Sequence, residues 1–250
     1  MKIVYFGYDL FYACFEEILS NPEIEVMALY TFPTDNVVDF NEKVIAAAKR
    51  RNIPVYIGKV CAEDLESLWQ NGCRLVISAG YAYKIPILER PDFRGINVHP
   101  ALLPVGRGPW PMPQVILKGL KTSGVTVHKL SRGFDEGDIL LQDHFSVSED
   151  ETLRTLTDKI TTCARGLIAD CLSRLDVLWQ NAVPQIGGEY WPEPDDKDRT
   201  ICKTMTVKTA DRIVRAFGDF GVLYEGQCYQ NRSRQGINVK LSDGSITLYK

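Results

Sequence analysis

The chain opens Met1-Lys2-Ile3-Val4-Tyr5-Phe6-Gly7, and residues 3 to 6 form an unbroken apolar run that stops at a glycine. A strand with one face in water alternates apolar and polar residues; a run with no polar member is covered on both faces, as in a parallel sheet flanked by helices. Working outward, Gly7 makes a turn, and Asp9 is placed to cap a helix carrying Phe11, Phe15 and Ile18-Leu19 at helical spacing. Glu25 to Thr31 reads as a second strand, and Asp39 to Arg51 as a helix with Phe40, Val44 and Ala47-Ala48 inward. Pro54-Val55-Tyr56 is a short third strand, Ala62 to Asn71 a helix with Leu65, Leu68 and Trp69 on one face, and Leu75-Val76-Ile77 a fourth strand. This rhythm predicts an α/β fold with a doubly wound, mostly parallel, Rossmann-like sheet, whose ligands sit beyond the carboxyl ends of the strands. No Gly-x-Gly-x-x-Gly follows the first strand, which argues against a dinucleotide-dependent oxidoreductase.

The second half continues the layer. Gly95 to Val98 reads as a short buried strand, Pro111 to Lys121 as a helix, and Gly124 to Leu130 and Asp138 to Val147 as strands forming a hairpin-like extension. Ser148 and Glu151 have capping-box spacing ahead of a long helix with Leu153, Leu156, Ile160, Cys163, Leu167, Cys171 and Leu175 along one stripe. Beyond Gly187-Gly188 the pattern breaks into the Pro- and Asp-rich Trp191-Pro192-Glu193-Pro194-Asp195-Asp196. A short helix at Ala210 to Phe217 and strands near Val239-Leu241 and Ser245-Tyr249 follow. The expected division is therefore 1–189 for the main α/β domain and 190–250 for a small α+β subdomain. The apolar C-terminal strand could serve as a homodimer contact.

At 250 residues and 45% hydrophobic content the chain can bury a full core. A net charge of −3 argues against a protein whose main task is holding nucleic acid. Seven scattered cysteines with no CxxC pair fit reduced thiols better than a disulfide framework, and no clustered His/Cys set predicts a metal. With no apolar run of membrane-spanning length, and a first segment that reads as a strand rather than a signal peptide, the expectation is a cytoplasmic enzyme or binding protein without a membrane partner.

Chemistry concentrates in Gly95-Ile96-Asn97-Val98-His99-Pro100-Ala101-Leu102-Leu103-Pro104. Strand alternation puts Asn97 and His99 on one side, and the prolines stop regular continuation just past them. An amide that can polarise a carbonyl thus neighbours an imidazole that can move a proton. Asp135, between Gly133 and Gly137, adds a carboxylate. Acyl or formyl transfer to an amine would use such parts. His128 and His144 read as satisfied core residues, and Asp138 as the start of a strand. Gly106-Arg107-Gly108 is a turn in which an Arg could meet a phosphate. Tyr190 and Trp191 could stack on a nucleotide base or pack a seam.

Asn97 to Pro104, then Arg107-Gly108, then Gly124-Val125-Thr126-Val127-His128, then Asp135-x-Gly137 together resemble the folate-dependent formyltransferases, over most of the chain. The resemblance implies N10-formyltetrahydrofolate as the formyl donor and a primary amine as acceptor, with no metal. On this basis Asn97 would steady the developing oxyanion, His99 would move the proton, and Asp135 would orient His99 or a water and relay protons. An Asp135 in an apolar cleft should have its pKa raised. The segment Ala82-Tyr83-Lys84-Ile85-Pro86 is similar to the family's folate side, which implies donor contacts at Tyr83, Lys84, Ile85, Gly133 and Phe134. Thr31-Phe32-Pro33-Thr34-Asp35-Asn36 is similar to the loop after the second strand of the members that formylate amino sugars. Acceptor contacts are implied at Asp9, Thr31, Arg107, Tyr190 and Trp191.

Members that formylate methionyl-tRNA are usually longer and end in a basic barrel, whereas only about sixty residues follow Tyr190 in this acidic chain. The resemblance therefore runs closest to the sugar-nucleotide N-formyltransferases of lipopolysaccharide and glycan amino-sugar synthesis, with an acceptor such as a nucleotide-linked 4-amino-4,6-dideoxyhexose. A methionyl-tRNA formyltransferase-like activity and formyltetrahydrofolate hydrolysis remain the alternatives. The joint at Trp191 to Ile201 departs from the Arg-Pro-Glu-Asp-Gly signature frequent in the sugar enzymes, so the base and the sugar stay open.

Overall fold

The computed structural model describes residues 1–35, 39–230 and 235–249. Asn36, the last residue of the loop singled out after the second strand, lies outside them.

The apolar opening run becomes β1 (Lys2–Gly7), whose residues 3 to 6 are all fully buried. A short 3₁₀ turn, Asp9–Phe11, leads to α1 (Tyr12–Ser20). There follow β2 (Glu25–Thr31), α2 (Glu42–Arg50), β3 (Val55–Ile57), α3 (Ala62–Gln70) and β4 (Leu75–Ala79). Then come β5 (Arg94–His99), β6 (Val105–Arg107), α4 (Pro111–Leu117), β7 (Thr122–Lys129), β8 (Ile139–Ser146), α5 (Leu153–Ser173) and α6 (Leu175–Gln180). One sheet of seven strands has the order β3-β2-β1-β4-β5-β7-β8. Its first five members pair in parallel. β7 joins β5 antiparallel and aligns Asn97 with His128 and His99 with Thr126. The sheet is thus the mostly parallel α/β layer expected from the apolar runs.

Two compact units divide the chain. The first comprises 1–107, 124–144 and 160–190, and the second 108–123, 145–159 and 191–250. In the second, α7 (Val207–Phe217) contacts α4, and Trp110 meets the rings of Phe217 and Phe220 edge-on at 6.1 and 5.4 Å. Around them stand a three-stranded sheet of β10 (Thr200–Ile201), β11 (Val222–Tyr224) and β12 (Gln227–Tyr229), and the hairpin of β13 (Gly236–Lys240) and β14 (Ser245–Tyr249). The capping box forms: the Ser148 N–H and hydroxyl both donate to Glu151 Oε2, at 3.1 and 3.3 Å. Among the described residues no helix is long and apolar enough to cross a membrane.

Four readings need correction. Phe40 is 41% exposed, because α2 starts only at Glu42 and the buried Asn41 turns its amide to Phe32 O instead. Asp9 does not cap the helix that follows it. Its two carboxylate oxygens accept the Lys43 and Val44 N–H groups, both at 3.0 Å, so it caps α2 from outside. His144 is exposed rather than a core residue. The helix at 111 ends at Leu117, where Gly119 takes a left-handed φ of +62°.

Candidate active site

Elementary hydrogen-bond chemistry fixes much of the site. β5 ends at His99, and the chain returns through a turn at Gly106, whose φ of +80° suits a residue without Cβ. Gly106 O lies 2.7 Å from His99 Nε2. A carbonyl can only accept, so Nε2 carries the hydrogen and the opposite ring nitrogen, Nδ1, faces Asp135 Oδ1 at 3.4 Å. The pair is buried, with side-chain exposures of 5% and 10%. The intervening segment is tied to β7: Thr126 Oγ1 donates to Ala101 O at 2.6 Å and accepts the Leu103 N–H at 3.1 Å.

Asp135 sits on the turn between β7 and β8 with φ of +57°, a left-handed conformation that Asp tolerates better than most residues. Two residues on, a Cβ at Gly137 would lie 1.8 Å from Lys129 O. Glycine is therefore what allows the turn to lie against β7, which gives the Asp-x-Gly spacing its physical reason.

Asn97 completes the group. Its Nδ2 is 3.4 Å from Asp135 Oδ1 and 3.1 Å from His128 Nε2. His128, expected as a satisfied core residue, is one that also touches this group. It is indeed only 2% exposed, but its Nδ1 donates to Lys129 O at 2.8 Å, so its Nε2 lone pair receives the Asn97 amide. Nε2 is also 3.6 Å from Asp135 Oδ1. Four side chains from two strands and one turn thus converge. The signal that could have found His128 is the antiparallel register that sets it across from Asn97.

Burial in this setting pushes the His99 imidazole below its ordinary 6.5; the Asp135 charge and the Gly106 carbonyl pull upward, and His128 pushes further down. His99 Nδ1 and a carboxylate oxygen 3.4 Å away are both lone-pair groups, which repel unless one proton lies between them. The arrangement is therefore built to hold and move one proton.

The remaining candidates are distributed. Lys84 Nζ lies 5.9 Å from the centre of the Phe134 ring, so the 82–86 segment and the 131–137 turn come together. Phe134 is 56% exposed, Ile85 is buried, and Tyr83 packs edge-on to Tyr81 at 5.5 Å. Ser131 Oγ donates to Gly133 O at 2.9 Å. Arg107 and Tyr190 are register partners in the parallel pair of β6 with β9 (Glu189–Tyr190). Arg107 Nε donates to Gln185 Oε1 at 3.0 Å and its Nη2 to Gly187 O at 3.1 Å. Thr31 is fully buried with an unpartnered Oγ1. The Asp9 carboxylate faces the start of α2. Tyr190 is 59% exposed; Trp191, in the second unit, is 3% exposed with Lys118 Nζ 5.4 Å from its ring. Asp138 precedes β8 and pairs with Lys129 at 3.1 Å. Among the described residues no group of three or more His, Cys, Asp and Glu could hold a metal ion.

Residues 59–172 match the formyl transferase family. The methionyl-tRNA formyltransferase of Ehrlichia ruminantium (strain Gardel) is 28% identical over 225 residues, 86% of this chain and 74% of that one. Among solved structures, the N-formyltransferase from Helicobacter canadensis, in complex with folinic acid and dTDP-3-aminofucose, superposes with a TM-score of 0.71. That match has 17% identity and covers 100% of this chain and 98% of that one. A 4-N formyltransferase from Francisella tularensis gives 0.70 at 19% identity, over 91% and 94% of the two chains. The segment matched to the formyl transferase family, residues 59–172, contains Asn97, His99, His128 and Asp135.

Proposed function

We propose that this protein transfers the formyl group of N10-formyltetrahydrofolate to the primary amine of a nucleotide-linked amino-deoxysugar. The observation that carries the reading is the meeting of Asn97, His99 and Asp135 around one proton position. The donor brings an activated one-carbon acyl group. Exposed Phe134 under Lys84 offers a flat aromatic and a cationic surface of the kind a pterin and its acidic tail would use.

In this mechanism Asn97 releases its long 3.4 Å contact with Asp135 and points that N–H at the formyl oxygen, while the 3.1 Å contact to His128 keeps the amide plane in place. As the amine nitrogen bonds to the formyl carbon, the Asp135–His99 pair takes the proton the nitrogen sheds. The pair then gives a proton to the folate nitrogen as the bond between that nitrogen and the formyl carbon breaks. The products are a formamide and tetrahydrofolate, and the pair ends as it began.

The sugar-nucleotide acceptor is supported by the likeness to two N-formyltransferases, one of them bound to dTDP-3-aminofucose, over nearly the full length of both chains. Arg107 beside Tyr190 offers a cation and a ring to a nucleotide. A second reading is favoured by the identity to a methionyl-tRNA formyltransferase: formylation of a charged tRNA. The test is an assay of formyl-folate with dTDP-, UDP- and GDP-linked 3- and 4-amino sugars, charged methionyl-tRNA, and no acceptor. A formylated sugar nucleotide supports the proposal. Product only on the tRNA selects the second reading, and full-rate folate release without acceptor selects a hydrolase.

A further inference from the structure

Gln185 stands between the catalytic turn and the arginine expected to meet the acceptor, and all its polar atoms are engaged. Its Nε2 donates both hydrogens to the turn, to Asp135 O at 2.9 Å and to Gly137 O at 2.7 Å. Its Oε1 accepts from Arg107 Nε at 3.0 Å. These contacts reach across 48 and 50 residues to the turn and 78 residues to β6. No regular element supplies them: Gln185 lies in the loop between the bridge at Val183, which pairs with Ile139, and the left-handed Gly187. A side-chain amide with two donors and one acceptor matches two carbonyls and one N–H, and no other residue type has that count at that length.

The turn needs such a clamp. Asp135 holds a left-handed φ of +57°, and its carboxylate must reach His99 Nδ1, Asn97 Nδ2 and His128 Nε2 at once, at 3.4 to 3.6 Å. Displacing a reacting group by about 1 Å can cost on the order of 10²-fold in rate. We propose that Gln185 is a positioning residue of the formyl transfer: it fixes the Asp135 turn against the strands that carry Asn97, His99 and His128, and ties that turn to Arg107. It touches no reacting atom and acts through the placement of Asp135. The inference rests on the formyl-transfer reading above and deepens it.

Two substitutions separate the halves of the clamp. Gln185→Glu keeps an acceptor for Arg107 but removes the donors to the Asp135 and Gly137 carbonyls. Gln185→Leu removes both halves at nearly the same size. Both variants are expected to lower kcat by about 10²-fold while the KM for formyl donor and amine changes less than about threefold. If Gln185→Glu turns over like the wild type, only the support of Arg107 matters and the proposal is overturned; a KM rise with kcat intact overturns it equally.

A second measurement needs no substrate. In the ligand-free protein, NMR titration of the His99 ring in Gln185→Leu should show a pKa lower than in the wild type. The shift is expected because the ring would lose part of the upward pull of Asp135, leaving burial and the neighbouring His128 in control. An unchanged His99 titration overturns the proposal. Should the wild type formylate no amino sugar nucleotide, the acceptor reading falls, and this titration still decides the role of Gln185.

Discussion

At its first residue β5 presents Arg94, whose guanidinium meets Asp176 at 2.6 Å, with side chains 26% and 83% exposed. At its last it presents His99, which meets Asp135 at 3.4 Å with both partners nearly buried. The Arg94 end lines a surface hollow of about 560 Å³ with Arg74, Asp92 and Asp176, and Arg74 pairs with Asp92 at 3.0 Å. Opposite charges there are already satisfied and solvated, so they fix no proton and are worth little. At the His99 end the partners meet with water removed, and one nitrogen of each imidazole, His99 Nε2 and His128 Nδ1, is committed to a backbone carbonyl. The ion pair at one end of the strand decorates the surface; the buried contact at the other sets two lone-pair groups about a single proton position. Burial and committed tautomers, rather than charge, make the difference.

That contrast can be broken most forcefully at Asp135. Asp135→Asn keeps the left-handed turn but removes the proton carrier, and turnover should fall by about 10²–10⁴-fold while the thermal midpoint stays in place. A midpoint that collapses along with turnover would make Asp135 a structural residue. Asn97→Ala should cost about 10²–10³-fold in kcat with donor affinity retained, read by steady-state kinetics and by direct folate binding.

A smaller effect concerns pH. Burial depresses the folded-state pKa of His99 below 6.5, so the unfolded chain binds more protons there than the folded one. His99 therefore contributes a loss of stability as pH falls from 6.5 toward its folded value, at most about 1.4 kcal/mol per pH unit. His99→Gln should flatten the urea midpoint against pH across that interval, and an identical slope in both proteins would refute the assignment. Smallest of all, Arg94→Ala should change stability by less than about 1 kcal/mol and leave kcat untouched. A loss of turnover there would mean that the two ends of the strand are not independent.

The sheet was legible because continuous apolar runs leave little choice. Ile3 to Phe6 and Glu25 to Thr31 form β1 and β2, and residues 3–6 and 28–31 are covered on both faces. The trio Asn97, His99 and Asp135 was legible from ordered motifs. His128 was read correctly as buried but assigned no chemistry, since its partner depends on which residue of β5 it faces, and register is a property of two strands. Asp9 failed for a related reason: its carboxylate serves Lys43 and Val44, 34 and 35 residues away. Gln185 carried no signal at all, because a lone glutamine in a loop has no periodicity and its three partners are backbone carbonyls and an arginine distant in sequence.

The antiparallel entry of β7 beside β5 has a consequence for how such a protein could change its task. Asn97, His99 and His128 hang on a ladder of main-chain bonds, where a slip of one step would turn every one of them to the wrong face. Arg107, Gln185 and Tyr190 stand on short strands and connecting loops, which tolerate exchange. On the formyl-transfer reading, exchange in those loops would rewrite the acceptor while Asn97, His99 and His128 stayed anchored in the sheet.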